Sequence, residues 1–140
     1  MNWNAAVDPA ALATVLGSEV EVVLVSLDGT NSVPLRPADI DRMTPDRSTK
    51  AAIIMSPILD NQREFAEAGG YYLWDPLAAV AARQPDVVRI ERIPVRVSLV
   101  AGEAGRTVRD PAGREVRVTV EADAEGFERI LLDAMLGRAR

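Results

Sequence analysis

The chain has 140 residues, 48% of them apolar, which suits one domain with a true core. Its 16 basic and 21 acidic residues leave a net charge of −5 with both signs interspersed, an unsuitable surface for nucleic acid or an anionic membrane. The absence of cysteine and histidine excludes disulfides, thiolate nucleophiles, Ser-His-Asp catalysis and His-ligated zinc.

Any chemistry therefore falls to carboxylates, Tyr, Lys, Arg or an oxygen-liganded metal. The opening MNWNAAVDPA lacks a basic segment followed by an apolar run, and no window nears the ~18 apolar residues of a membrane span. A soluble protein of a reducing cytoplasm is expected.

In chain order, DPAALATVLGS predicts a short helix capped by Asp8, with Pro9 in its first turn and Gly17 at its end. EVEVVLVSLDGTN then holds a nearly continuous β-branched run, Val20 to Leu27, as expected for a strand buried on both faces of a parallel sheet. Its polar continuation, Asp28 to Asn31, falls where open α/β sheets place ligands, although an Asx-turn is the favoured reading of Asp28. VPLRPADIDRM reads as a turn and short helix. TPDRSTKAAIIMSPILDNQREFAEAGG reads as a long helical pattern kinked at Pro57 and ended by its two glycines.

DPLAAVAARQ predicts the next helix, with Asp75 as N-cap acceptor and Pro76 at its first position. VRVSLV and EVRVTVE alternate, placing Val95, Val97 and Leu99, then Val116, Val118 and Val120, on one face each. Turns at AGEAG and DPAG join these into antiparallel ribbons, the second as a hairpin turn. Asp123 caps a last helix whose Phe127, Ile130, Leu131, Ala134 and Met135 form one stripe. The Arg-rich tail LGRAR suits that helix's negative end.

A single central strand does not make a parallel sheet. Its parallel neighbours are expected on polypeptide beyond this sequence rather than as very short strands.

Three of the six aromatic residues crowd into GGYYLWDPLAAV, directly before Asp75. Asp75 reads in two ways, as a helix cap beside a packed Trp or as a metal ligand beside a stacking platform. Tyr71 and Tyr72 either wall a pocket or fill space below Trp74. Asn2, Trp3 and Asn4 fit ordinary cap and turn chemistry.

NWNAAVDPAALATVL, VSLDGTNSVPL, GGYYLWDPLAAV and GRTVRDPAGREVRVTVEADAEGFERILLDAML resemble, in order and spacing, successive segments of the inosine/uridine-preferring nucleoside hydrolases. The likeness spans essentially the whole chain, is most specific at DPLA and LDxT, and covers the C-terminal half of that family's domain. It implies an α/β fold: one partial domain over residues 1–140, with a mixed, mainly parallel sheet, flanking helices and an antiparallel hairpin region.

The family's reaction is calcium-assisted hydrolysis of the N-glycosidic bond of a ribonucleoside. By resemblance, Asp75 matches the C-terminal calcium aspartate. Trp74 matches the leaving-base position, which carries histidine in many members and a stacking tryptophan in a subset. Tyr71 and Tyr72 would wall the base pocket. Asn4 matches the asparagine of a Glu-aromatic-Asn ribose motif, and Asn2 stands where that motif has glutamate. The DTDPGxDD-type aspartate loop does not occur in this sequence, while calcium takes about six to eight oxygens. The expectation is a chain inactive alone that forms homo-oligomers or pairs with a separate chain supplying the N-terminal half. A non-catalytic, self-associating scaffold is the alternative.

Overall fold

The computed structural model describes residues 2–43 and 47–138. Two compact units divide the chain, Met1–Gly29 with Arg89–Val120, and Thr30–Val88 with Glu121–Arg140.

The first unit opens with helix α1, Trp3–Val7, and helix α2, Pro9–Gly17. Asp8 caps α2 as expected, its Oδ1 accepting from the Ala11 N–H at 2.8 Å. The strand expected over Val20–Leu27 is only two residues long: β1, Val23–Leu24, is parallel to β4, Arg114–Ala122. Nor is the run buried on both faces, since Val20 and Val23 are 66% and 42% exposed.

The ladder stops because Ser26 turns to a side chain instead. Its N–H donates to Thr119 Oγ1 at 3.0 Å and its hydroxyl to the Thr119 carbonyl at 2.6 Å. A short helix, α3, Leu27–Thr30, begins at once. Asp28 sits in that turn with its carboxylate accepting no hydrogen bond from a described residue, so it forms no Asx-turn.

The sheet is mixed, in the order β1-β4-β2-β3. Strand β2 covers Val88–Val97 and pairs antiparallel with β3, Thr107–Arg109, in the register Val95↔Arg109 and Val97↔Thr107. β2 starts well before the expected VRVSLV, a start that the sequence hides because Ile90 and Ile93 break the period of two that marks a strand. It also ends sooner. Ser98 N–H donates to the Arg106 carbonyl at 2.8 Å, which closes the loop and leaves Leu99 61% exposed.

DPAG is a turn, but not a hairpin. It joins β3 to β4, which are not neighbours in the sheet, and a Cβ on Gly113 would stand 2.4 Å from the Val95 carbonyl oxygen. Arg96 and the Ala112 N–H both bond the Asp110 carboxylate, holding its pKa below the ordinary value. Leu16, Ile93, Val95, Val97, Val116 and Val118 form this unit's core.

The second unit holds α4, Pro37–Met43; α5, Lys50–Asn61; α6, Arg63–Glu67; α7, Trp74–Arg83; and α8, Ala124–Met135. The first residues of the long helical pattern, 44–46, lie outside the described residues, as do the last two of the Arg-rich tail. Pro57 lies inside α5, and the break falls later, at Gln62. The two glycines end α6 as expected. Gly69 adopts φ +72°, its N–H reaching the Ala66 carbonyl while that of Gly70 reaches Phe65, both at 3.1 Å.

Asp123 caps α8 through the Gly126 N–H at 3.1 Å. Leu35, Ile40, Leu59, Leu77 and Phe127 are fully buried, each contributing about 1.5–3 kcal/mol. The α8 stripe is only partly core: Phe127 and Met135 are buried, whereas Ile130 and Leu131 are half-buried and Ala134 is exposed. No helix among the described residues is long and apolar enough to cross a membrane.

Candidate functional site

The aromatic cluster is built by a short ladder. After Gly70 the chain runs extended, and Tyr72 bridges antiparallel to Pro34. Leu35 N–H donates to the Tyr71 carbonyl at 3.0 Å and Leu73 N–H to that of Val33 at 3.1 Å. With Val33, Leu35 and Leu73 buried beneath, Trp74 opens α7 beside two half-buried tyrosines. The Tyr71 and Trp74 rings pack edge to face with centroids 4.9 Å apart, and Tyr72 stands tilted to Trp74 at 5.8 Å.

Asp75 is not the helix cap. Leu73, already held by the ladder, takes that position, and its carbonyl accepts the first helical bond from Leu77 N–H at 3.0 Å. Asp75 is thereby drawn inside the first turn, followed by Pro76. Its carboxylate is exposed and makes no hydrogen bond or ion pair with a described residue. Its negative charge still suits the positive helix end.

Beside these residues lies a largely apolar cavity of about 650 Å³. Tyr71, Tyr72, Trp74 and Asp75 line one part of it. Met55 and Ile58 of α5, and Leu131 and Met135 of α8, line another. Four of the five stripe residues on α8 thus line the cavity, and Phe127 alone lies wholly in the core. The α5 wall was missed in sequence, although Ala51, Met55, Ile58 and Gln62 follow helical spacing. Such spacing puts these residues on one side of the helix without saying whether that side meets protein, water or a ligand.

Asn2 and Asn4 belong to the first unit. Asn2 Oδ1 caps α1, accepting from Asn4 N–H at 3.0 Å and Ala5 N–H at 3.4 Å. Asn4 lies exposed within that helix. Both line a second cavity of about 650 Å³, with Asp8, Asp28 and Arg106 also on its wall. The structure therefore gathers Tyr71, Tyr72, Trp74 and Asp75 in one unit, and Asn2 with Asn4 in the other.

The described residues contain no group of three or more acidic side chains able to hold a metal. Asp75 alone offers one or two oxygens against the ~6–8 of a calcium site, so this donor set does not fit that ion by itself.

The sequence profile of the inosine-uridine preferring nucleoside hydrolases matches residues 1–129. Nucleoside hydrolases of that description from Crithidia fasciculata and Leishmania major are each 29% identical over 95% of this chain. The chain spans only 45% of either relative's length. Among solved structures, the inosine-uridine preferring nucleoside hydrolase of Bacillus anthracis superposes with a TM-score of 0.82 at 26% identity, over 95% of this chain and 42% of that one. The purine-preferring ribonucleoside hydrolase of Gardnerella vaginalis, at 24% identity and a TM-score of 0.76, shares the fold over 93% of this chain and 44% of its own.

Proposed function

This chain belongs to the inosine-uridine preferring nucleoside hydrolase family, and from that premise we propose that it supplies part of a nucleoside site: the wall for the departing base and one carboxylate. Trp74 stacks on the base, and Tyr71 and Tyr72 hold its ring in place. Asn4 and Asn2 serve the ribose. Asp75 gives one or two oxygens to a calcium ion whose other ligands come from polypeptide beyond these 140 residues, carried on a separate chain or a longer one. The proposed unit of function is one partial domain, in the cytoplasm, a setting that a chain without cysteine suits.

One observation carries this reading. An aromatic cluster borders an apolar cavity, and beside it an exposed carboxylate serves neither as helix cap nor as ion-pair partner. An Asp at the N-cap position ordinarily accepts a backbone N–H, whereas an acid inside the first turn needs only the helix dipole. Asp75 accepts none, which leaves its oxygens for a ligand. With only one such carboxylate, the isolated chain is not expected to hydrolyse nucleosides.

A scaffold without catalysis is the second reading. It is favoured by Ile53, Ile54, Ile58 and Phe65, which are 47–63% exposed on α5 and α6.

The test uses the Trp3→Phe chain, so that Trp74 is the sole tryptophan. Inosine or its free base should quench the fluorescence saturably, with base stacking worth about 1–3 kcal/mol. Substituting Tyr71 and Tyr72 together by Ala should abolish that quenching. Absence of saturable quenching would overturn the base-wall assignment, and release of free base by the chain alone would overturn its inactivity.

A further inference from the structure

Thr49 does two things with one hydroxyl. Its Oγ1 accepts from the Ala52 N–H at 3.0 Å and so caps the start of α5. The same hydroxyl donates to the carbonyl of Met135, the last residue of α8. A hydroxyl accepts and donates at once, which an ionised carboxylate cannot do. The positive end of α5 and the negative end of α8 therefore meet at a single side chain, an arrangement that their dipoles favour.

The end of α8 turns so as to leave that carbonyl over. The N–H groups of Leu136, Gly137 and Arg138 return to the carbonyls of Leu132, Ala134 and Asp133 at 2.9, 3.3 and 2.7 Å. Gly137 makes the turn at φ +70°, and a Cβ on it would stand 3.3 Å from the Thr49 methyl carbon. Capping α5 accounts for the acceptor half of this arrangement. It does not account for a donor aimed at another helix.

We propose that Thr49 is a positioning residue for the apolar cavity: its hydroxyl pins α5 to α8 and fixes the gap between the walls they form. Met55 and Ile58 continue α5 along the cavity from this joint, and Leu131 lies about one turn before it on α8. Met135 joins the two roles, since its carbonyl holds Thr49 while its buried side chain lines the cavity. Thr49 itself stands outside the described lining. Without the tie the two walls part, and a base stacked on Trp74 is less closely enclosed. That last step rests on the base-wall reading, whereas the pinning of the helices does not.

Substitutions separate the cap from the tie. Thr49→Asp keeps an acceptor for Ala52 but has no proton for Met135, and its charge faces the negative end of α8. Thr49→Ser keeps both bonds, and Thr49→Val, of similar shape, loses both. The chain has no native cysteine, so nitroxides on Ile54→Cys and Arg129→Cys, both at exposed positions, are its only labels. Dipolar electron paramagnetic resonance should find their separation longer or more broadly spread in Thr49→Asp and Thr49→Val, and unchanged in Thr49→Ser. In the Trp3→Phe chain, Thr49→Asp should weaken quenching of Trp74 by the free base of inosine at least about threefold, and Thr49→Ser should retain it. Far-UV circular dichroism would verify that each variant folds. An unchanged label distance in Thr49→Asp, or a base affinity indifferent to it, would overturn the proposal. A parent chain that binds no base would overturn the base wall instead, and the label distances would still decide the tie.

Discussion

Tyr71 and Trp74 meet edge to face, with ring centroids 4.9 Å apart and planes inclined by 64°. The two residues are three apart, yet no helix brings them together. The ladder between residues 71–73 and 33–35 holds Tyr71 while α7 begins at Trp74. Edge-to-face pairs of this kind add about 0.5–1.5 kcal/mol beyond the area they bury.

Tyr71→Ala should therefore destabilise the protein by about 1–3 kcal/mol, and it should flatten the near-ultraviolet circular dichroism of Trp74. Tyr71→Phe keeps the ring and should keep the signal. Both are best measured in the Trp3→Phe chain. An unchanged spectrum in Tyr71→Ala would show that this contact does not orient the indole.

Asp75 and Asp123 both stand beside helix starts, and their substitutions should part company. Asp123 caps α8, so Asp123→Ala should cost about 1 kcal/mol in chemical denaturation. Asp75 accepts no backbone hydrogen bond, so Asp75→Asn should cost no more than about 0.5 kcal/mol. Equal losses at the two positions would mean that Asp75 is a cap after all.

Gly105 and Gly17 offer a second contrast. Gly105 has φ +88°, and a Cβ there would lie 2.2 Å from the Ala5 carbonyl oxygen, which is backbone and cannot step aside. Gly105→Ala should cost about 2 kcal/mol or more. Gly17 ends α2 with nothing within 4 Å of a Cβ. Gly17→Ala should be neutral or stabilise by up to about 1 kcal/mol. Thermal melts of the two variants decide the matter, and a tolerated Gly105→Ala would place that loop elsewhere.

The features legible in the sequence are those whose chemistry closes within a few residues. Asp8 and Asp123 find their N–H partners three positions on, and Gly69 and Gly70 answer carbonyls within the preceding turn. The alternation in Val116 and Val118 survives as burial because a strand's period is local. The order of such segments was also enough to expose the family resemblance.

Tertiary structure decided what depends on distant partners. Thr119 captures Ser26 and cuts β1 to two residues. Val33 holds Leu73, makes it the helix cap and frees the Asp75 carboxylate. The placement of β2 between β3 and β4 turns an apparent hairpin at DPAG into a link between strands that are not neighbours. The apolar spacing of α5 and α8 marks one apolar side on each helix. Only their packing leaves a cavity between those faces, because periodicity records which side of a helix is apolar and carries no information on what fills the space beside it.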